Sequence, residues 1–353
     1  MLTHIKSLKY TINTDITVLK ELTIFLQKNN YSNYFILCDE NTLQNCLPLL
    51  LTNCAALKQA HIIEIESGET NKTIEIVINC WHTLLENNAD KNTLLINLGG
   101  GVVSDLGGFT ASTYKRGIDF INIPTTLLAM ADASVGGKTG FDFGGLKNSI
   151  GTITQPKAVF IYPPFLNTLS QRHINNGLAE VFKIALINNK VFWNYLKTNS
   201  KNYLQLITKS VSLKNKIVIK DPTDKGVRKA LNFGHTIGHA IESLYLNTKD
   251  ELLHGEAIVI GMILESHIAL QKKLITKTEF IEIIAVLNLN FKIKKQLLFT
   301  SPQLMQLIKN DKKNTNSKLK FALVNKIGGC KVDVDVTESQ IQKAITYFKT
   351  SYK

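Results

Sequence analysis

The sequence contains no apolar run long enough to cross a bilayer. A membrane-spanning helix needs about 20 consecutive apolar residues, and the nearest candidate, residues 257–270, is interrupted by Glu265 and His267. The N-terminal segment MLTHIKSLKY lacks the apolar stretch of a secretory signal. With 44% hydrophobic and 20% charged residues, the composition is that of an ordinary globular protein. We therefore expect a cytoplasmic protein without a membrane partner.

Paired cysteines are also missing. The chain has five cysteines, Cys38, Cys46, Cys54, Cys80 and Cys330, and no two of them have CxxC spacing. An odd count without that spacing argues against a disulfide framework and against a zinc site built from thiolates. We interpret the cysteines as buried free thiols.

Acidic residues are in the minority, which leaves the chain with a formal net charge of +13. Nucleic-acid binding is one explanation of such a charge. However, the basic residues are scattered, and aromatic residues are not interleaved with them as a stacking platform requires. The chain is also rich in Lys, Asn and Ile throughout. Compositional drift together with an anionic small substrate explains the charge better, and no nucleic-acid partner is expected.

Short apolar runs in the first half of the chain alternate with helical patterns. The runs are residues 34–38, 62–65, 93–98, 119–123 and 158–161. Helical periodicity fills intervening stretches such as residues 16–28 and 71–86. Strands separated by helices are typical of βαβ units and a parallel sheet. We predict that residues 1–160 form an α/β domain with a Rossmann-like parallel sheet.

The pattern becomes helical after Pro164. Long helical stretches cover residues 177–188, 203–219, 235–246, 256–272, 277–287 and 338–349. A late hairpin is predicted near residues 318–336. A chain of 353 residues is long enough for two domains. We therefore predict a second, mostly α-helical domain in residues 161–353.

The glycine cluster GGGVVSDLGGF, residues 99–109, follows a strand pattern and opens a predicted helix. Glycines there let backbone N–H groups approach a pyrophosphate, whose charge a helix N-terminus favours. The standard GxGxxG spacing is absent, so a tight packing turn is an equal alternative. Asp39, at the end of an earlier strand pattern, is a candidate acceptor for a ribose hydroxyl.

A second glycine-rich segment, PTTLLAMADASVGGKTG, covers residues 124–140. It is not a P-loop, because GxxxxGK[ST] is absent. A lysine in a glycine loop nevertheless suits a phosphate, and Lys147 and Asn148 follow closely. Many polar residues lie close together in this segment, beside the apolar LLAM, and this density of polar residues favours a binding site over a surface turn. The polar residues are Thr125, Thr126, Asp132, Ser134, Lys138 and Thr139.

The stretch LNFGHTIGH, residues 231–239, places His235 and His239 one helical turn apart. His254 follows in LHGE, and Glu180 precedes in LAEVFK, three residues before Lys183. Two histidines and one acid form the ligand set of a catalytic zinc, with one position left open. Each residue alone is better explained as a satisfied core group, but together they favour a metal site with His239 as a general acid or base.

Further polar residues surround this set. Arg228 and Asn232 precede His235 on the same face, provided that the helix extends that far, and Lys214 comes from the preceding helix. Such a face suits a polyhydroxylated, multiply anionic ligand held over a metal. For Arg228 and Lys214, solvated surface charge is the alternative.

Taken together, these motifs resemble the 3-dehydroquinate synthase family. The resemblance also includes YKRG at residues 114–117, GLKNSIG at residues 145–151 and LLHGEAIVIGM at residues 252–262. It implies an NAD-binding α/β domain followed by a helical metal domain, usually in a homodimer. It further implies conversion of the sugar phosphate 3-deoxy-D-arabino-heptulosonate 7-phosphate to 3-dehydroquinate and phosphate in the shikimate pathway, with NAD consumed and regenerated in each turnover.

Site residues follow from the resemblance position by position. The implied zinc ligands, which also suit cobalt, are Glu180, His235 and His254. The implied NAD contacts are Asp39, Glu69, Lys72, Gly100, Gly101, Val102, Asp105, Thr125, Thr126, Lys138, Lys147, Phe165 and Thr168. The implied substrate contacts are Asp132, Lys138, Asn148, Lys183, Lys214, Arg228, Asn232 and His239, joined by Arg116 from the same or the partner subunit and by Lys312 or Lys313.

The sequence departs from the family pattern in three places and leaves rival functions open. Asn175 and Asn176 replace smaller residues, Gly140 replaces alanine, and residues 221–224 replace an acidic run. None of these is a proposed ligand. The rivals are another sugar-phosphate cyclase of the 2-deoxy-scyllo-inosose or valiolone type, a metal-dependent polyol or alcohol dehydrogenase that releases NADH, and a basic nucleic-acid-binding protein.

Overall fold

The computed structural model describes residues 3–144, 146–198, 202–246, 248–293, 300–310 and 319–352. The chain divides into two compact units. The first comprises residues 1–174 and 202–215, and the second comprises residues 175–201 and 216–353. The chain therefore passes between the units three times, within or beside two long helices.

The first unit is built on a mostly parallel sheet. Its strands are β1 (Thr3–Lys6), β2 (Thr11–Thr14), β3 (Tyr34–Asp39), β4 (His61–Ile65), β5 (Leu94–Gly99), β6 (Asp119–Pro124) and β9 (Ala158–Ile161). Two further strands, β7 (Lys138–Phe143) and β8 (Leu146–Ile153), form a separate hairpin. Among the described residues, seven strands pair in the order β1-β2-β9-β6-β5-β3-β4, and only β1 and β2 pair antiparallel. The predicted Rossmann-like fold class is confirmed.

Helices cover this sheet and thereby bury its parallel strands. They are α1 (Val18–Lys28), α2 (Glu40–Asn45), α3 (Leu47–Asn53), α4 (Ile74–Glu86) and α5 (Gly101–Thr113). Every residue of β5 is buried, which is typical of a central parallel strand. Phe35, Leu95, Leu106 and Phe120 belong to the core between the sheet and α4 and α5. This layer fixes the turn between β5 and α5, where the glycine cluster lies.

The remaining helices build the second unit or pass between the two. They are α6 (Gln171–Asn188), α7 (Lys190–Leu196), α8 (Tyr203–Lys220), α9 (His235–Tyr245), α10 (His254–Gln271), α11 (Lys277–Asn290), α12 (Ser301–Asn310) and α13 (Glu338–Ser351). The predicted late hairpin is present as β10 (Leu319–Lys326) and β11 (Gly329–Val336). Lys318, at its predicted start, lies outside the described residues.

Helix α10 is the apolar run noted in the sequence, and it is central to the second unit. It packs against α9, α11, α13 and β10. A helix that is apolar all round belongs in a core or a membrane, and burial by these neighbours accounts for its composition. None of the described helices is long and apolar enough to span a bilayer.

Candidate active site

Three helices of the second unit bring the proposed metal ligands together. Glu180 lies in the middle of α6, while His235 and His254 are the first residues of α9 and α10. Oε1 of Glu180 lies 3.6 Å from Nε2 of His235 and 3.5 Å from Nε2 of His254. Glu180 is only 1% exposed, and Lys183, on the same helix, forms a buried ion pair with its other carboxylate oxygen.

The donor set fits a divalent cation. Oε1 of Glu180 is buried and accepts no hydrogen bond from the part of the chain that the structure describes. An unsatisfied buried carboxylate oxygen is costly, and a cation held with two imidazole nitrogens would satisfy it. Carboxylate and imidazole are ordinary zinc ligands, and three of them leave one position open.

The ring of His239 lies beside this set. Its centroid is 4.9 Å from that of His235 and 5.6 Å from that of His254, and the ligand atoms of the three histidines lie within 4.8 Å of one another. The predicted general acid or base is therefore next to the ligands. An alternative set in which His239 replaces Glu180 would leave the buried Oε1 unsatisfied, so we favour Glu180 as the third ligand.

The start of α9 is fixed by an unusual turn and by a buried acid. Gly234 precedes the helix with φ +78°, in the left-handed region where side chains are disfavoured. The backbone N–H groups of Gly234 and Ile237 donate to the two carboxylate oxygens of Glu265, at 2.6 and 3.1 Å. Glu265, in α10, is fully buried. It caps α9 and so holds His235 at the first helical position.

Each ligand imidazole has a partner on its far side. Nδ1 of His235 lies 3.1 Å from the carbonyl oxygen of Phe233, and Nδ1 of His254 lies 3.3 Å from Oε2 of Glu242. Burial lowers the pKa of His254, but the carboxylates of Glu242 and Glu180 outweigh that effect and raise it to about 10. A metal would take the place of a proton at this imidazole.

Sequence reasoning missed Glu242, Glu265 and the contact made by Asn176. Oδ1 of Asn176 accepts a hydrogen bond from the backbone N–H of Gly255, next to His254. One signal was available, because Glu242 lies seven residues after His235 and thus two turns along the same helical face. Glu265 interrupts an apolar run and Asn176 departs from the family pattern, but neither signal identifies a partner, because the partners lie on other elements.

The expectation that the helix of His235 extends back to Arg228 is wrong. Residues Val227–Asn232 form a 3₁₀ turn, and the left-handed Gly234 separates it from α9. Arg228 is nonetheless only 2% exposed, and its Nη1 donates to the carbonyl oxygen of Pro222 at 2.9 Å. Solvated surface charge is therefore wrong for Arg228. Asn232, the other residue placed before His235, lines a small open pocket. The pocket is also lined by Asp224, Lys229 and Thr236 and by residues of β10 and β11, namely Lys320, Phe321, Ala322 and Asp333.

The loop before Arg228 is organised by Asp221. Its carboxylate accepts hydrogen bonds from the backbone N–H groups of Lys225, Gly226 and Arg228, at 2.7 to 3.1 Å. Burial would raise the pKa of Asp221, but these donors lower it below its usual value. This carboxylate fixes the backbone from which Arg228 projects.

In the first unit, the glycine cluster serves two purposes. Gly100 and Gly101 lie where β5 meets α5, and the first-turn N–H groups of a helix have no partner within it. These groups are available to a pyrophosphate. Gly107 instead packs the helix on the sheet, because a Cβ there would lie 1.9 Å from Oδ1 of Asn97. Packing therefore accounts for Gly107, and a pyrophosphate contact at Gly100 and Gly101 stays a prediction.

Lys72 is the centre of a polar cluster beside this turn. It is 3% exposed, and its Nζ lies 2.6 Å from Oδ2 of Asp105 and 2.5 Å from Oδ1 of Asn148. Lys147 joins through Glu69, at 3.3 Å. Burial lowers the pKa of Lys72, but Asp105 and Glu69 outweigh that effect and raise it, so the lysine is charged. Four of the proposed NAD contacts and one proposed substrate contact are thereby brought together.

Lys214 and Asp132 form a second pair in the first unit. Nζ of Lys214 lies 2.8 Å from Oδ1 of Asp132 and donates to its backbone carbonyl at 2.7 Å. Lys214 is 6% exposed, so solvated surface charge is wrong for it as well. Asp132 belongs to the π-helical turn Ala129–Ala133, which begins where Thr126 Oγ1 accepts from the Ala129 N–H. The backbone N–H of Thr125 donates to Gly99, which ties this segment to the glycine cluster.

The other proposed contacts are less concentrated. Asp39 caps α2 through Thr42, at 2.8 Å, and Phe165 is a buried ring packed edge-on against Tyr162. Lys138, Asn148, Thr168 and Arg116 are exposed, while Val102 is half-buried in the first turn of α5. Arg116 has φ +64° and follows Lys115 at φ +47°, so a tight turn presents it. Lys312 and Lys313 lie outside the described residues.

Two family models match the chain. The one described as 3-dehydroquinate synthase N-terminal matches residues 62–176, and the one described as 3-dehydroquinate synthase C-terminal matches residues 177–314. A protein named 3-dehydroquinate synthase from Parabacteroides distasonis is 38% identical over 341 residues, which cover 94% of this chain and 96% of that protein.

Solved structures share the fold. A 2-epi-5-epi-valiolone synthase from Streptomyces hygroscopicus subsp. jinggangensis, with NAD⁺ and Zn²⁺ bound, superposes with a TM-score of 0.87 at 25% identity and covers 99% of both chains. A 2-deoxy-scyllo-inosose synthase complexed with carbaglucose-6-phosphate, NAD⁺ and Co²⁺ gives a TM-score of 0.86 at 24% identity over 98% of this chain and 99% of that chain.

Proposed function

The chain belongs to the 3-dehydroquinate synthase family, and we propose that it converts 3-deoxy-D-arabino-heptulosonate 7-phosphate to 3-dehydroquinate and phosphate. The observation that carries this proposal is the convergence of one carboxylate and two imidazoles on a point beside a third imidazole. Such a set suits a metal that binds vicinal hydroxyls. Arg228, buried in the same unit, adds a cationic group that suits a substrate with a carboxylate.

Both cofactors of the family are proposed for this chain. Glu180, His235 and His254 would hold zinc or cobalt, which when bound polarises the substrate hydroxyl to be oxidised. The first-turn amides of α5 and the Lys72 cluster would hold NAD, which when bound would accept a hydride from the substrate and return it in the same turnover, so that NAD would not be consumed overall. In the proposed conversion, phosphate would leave between the two hydride transfers, and ring opening and an intramolecular aldol closure would follow them.

The chain's own residues would bind and orient the substrate. Lys138, Asn148 and Arg116 would hold the phosphate, with Arg116 supplied by the same or a partner subunit. Lys214 and Arg228 would hold the carboxylate, and Asn232 would donate to a hydroxyl. Fixed donors of this kind stabilise charge as it develops, because they need no rearrangement during the reaction.

Two residues near the ligands would act on protons and charge. His239 would accept the hydroxyl proton, since its ring lies beside both ligand imidazoles. Lys183 is 2% exposed and paired with Glu180, so it would hold that carboxylate in its orientation.

The homodimer and the cytoplasmic location stay predictions.

The test is phosphate release from 3-deoxy-D-arabino-heptulosonate 7-phosphate with NAD and Zn²⁺ present, while NADH absorbance is followed. We expect phosphate and 3-dehydroquinate to form together without accumulation of NADH. Glu180→Ala should abolish release, whereas Glu282→Gln, a change in the same unit at a carboxylate bonded to Trp193 and Lys197, should not. Failure of the metal-loaded protein to release phosphate would contradict the proposal and favour another sugar-phosphate cyclase; accumulation of NADH would favour a dehydrogenase.

A further inference from the structure

We propose that Glu242 is a positioning residue for the metal, acting through the imidazole of His254. This inference rests on the proposed metal site and extends it. Glu242 is 5% exposed, and its Oε2 lies 3.3 Å from Nδ1 of His254. The opposite ring nitrogen, Nε2, is the atom that lies 3.5 Å from Glu180. The carboxylate therefore contacts the ring on the side away from the other ligands.

This arrangement sets the state of the imidazole. A neutral imidazole carries one N–H, and the partner of that N–H decides which nitrogen keeps a lone pair. With Nδ1–H donating to Glu242, the lone pair is on Nε2 and directed toward the ligand set. A carboxylate on the far side also makes the ring a better donor to a metal and holds its orientation.

The two ligand histidines differ in this respect. His235 has a backbone carbonyl, that of Phe233, at its Nδ1, and no side-chain substitution removes that oxygen. His254 has a side-chain carboxylate, which a single substitution removes. Glu242 is also placed by the ligand helix itself, because it lies two turns after His235 on α9. One helix face thus supplies a ligand, the candidate base and the group that orients the other ligand.

The experiment compares metal affinity in wild type, Glu242→Ala and Glu242→Gln, with Glu282→Gln as the control. Each metal-free protein is titrated with Zn²⁺ in competition with a chromophoric chelator, and the Co²⁺ form is recorded by visible absorption. Loss of an outer partner typically costs 10–100-fold in metal affinity, and we expect Glu242→Ala to raise the Kd by about that factor. Glu242→Gln should recover part of the loss, because its amide oxygen still accepts from Nδ1–H.

Three readouts separate this role from a structural one. The thermal midpoint of each metal-free protein is measured first, so that any stability lost with the Glu242–His254 contact is separated from the loss of metal affinity, and the Co²⁺ spectrum of Glu242→Ala should shift while that of Glu282→Gln does not. A Kd for Glu242→Ala within threefold of wild type, with an unchanged spectrum, would overturn the inference. If wild type itself binds no metal, or if Glu180→Ala binds as tightly as wild type, the proposed site fails instead.

Discussion

Glu265 offers the most direct test of how the metal helices are held. Its carboxylate accepts the buried N–H groups of Gly234 and Ile237 at the start of α9, and it has the favourable interaction of an anion with a helix N-terminus. An orphaned buried donor costs about 1–3 kcal/mol. Glu265→Gln retains one acceptor oxygen and should lower the free energy of unfolding by about 1–3 kcal/mol, whereas Glu265→Leu orphans both donors and should lower it by about 2–6 kcal/mol.

The assay is urea unfolding of the metal-free protein, followed by circular dichroism. The metal is left out because a ligand that binds only the folded state adds its own stabilisation. Glu282→Gln serves as the matched control, since its carboxylate is more exposed and bonds to Trp193 and Lys197. The capping argument would be refuted by a free energy of unfolding for Glu265→Leu within about 0.5 kcal/mol of wild type, the usual range of a neutral surface change.

Four further predictions concern the Lys72 cluster, His239, the packing of α9 on α10, and Asp221. Lys72→Met leaves Asp105 without its buried cation and should destabilise the protein by about 3–5 kcal/mol in urea unfolding; adding Asp105→Asn should recover part of the loss, and no recovery would contradict the pairing. His239→Ala should keep stoichiometric metal but reduce turnover by about 10²-fold or more, and near-normal turnover would remove it from the mechanism. Gly261→Ala places a Cβ 1.9 Å from the carbonyl oxygen of Gly234 and should cost about 1–3 kcal/mol of stability and weaken metal binding; an unchanged thermal midpoint would argue against the close packing of α9 and α10. The folded-state pKa of Asp221 is lowered, so its contribution to stability is present above its unfolded pKa of about 4 and is lost as the pH falls below that value; the destabilisation of Asp221→Asn in urea should shrink in acid, and a constant difference would refute this sign.

Much of the fold could be predicted from the sequence because its main elements are long or fully apolar. The central strands β3, β5 and β6 and the helices α9 and α10 carry strong periodic or continuous apolar patterns. The short strands β1 and β2 and the hairpin of β7 and β8 were not predicted. Strands β1 and β2 are only four residues long, and β2 joins the sheet by pairing with β9, which is distant in the chain.

The candidate site could also be predicted only in part. The residue types and spacing of Glu180, His235 and His254 indicated a metal set, because carboxylate and imidazole on apolar helices are costly without a role. The end of the helical pattern before α9 could not be predicted. In the sequence, Gly234 does not differ from a glycine within a helix, and only its packing against α10 shows that its backbone is left-handed. Burial of Lys214 and Arg228 was likewise invisible, because charge alone does not reveal which side chains the fold encloses.

The contacts that sequence reasoning missed are those that fix the ligands relative to one another. Asn176 joins α6 to α10 one turn before Glu180, Glu265 joins α10 to the first turn of α9, and Glu242 joins α9 back to His254. Each contact connects two of the three ligand helices: one joins α6 to α10 and two join α9 to α10, so every ligand helix has a directional polar contact with another. A metal site needs ligand atoms placed to within about 0.5 Å, and apolar packing alone tolerates larger adjustments. Buried polar pairs between helices are directional, and for that reason we expect substitutions at these three positions to affect metal binding more than equally buried apolar substitutions of the same helices.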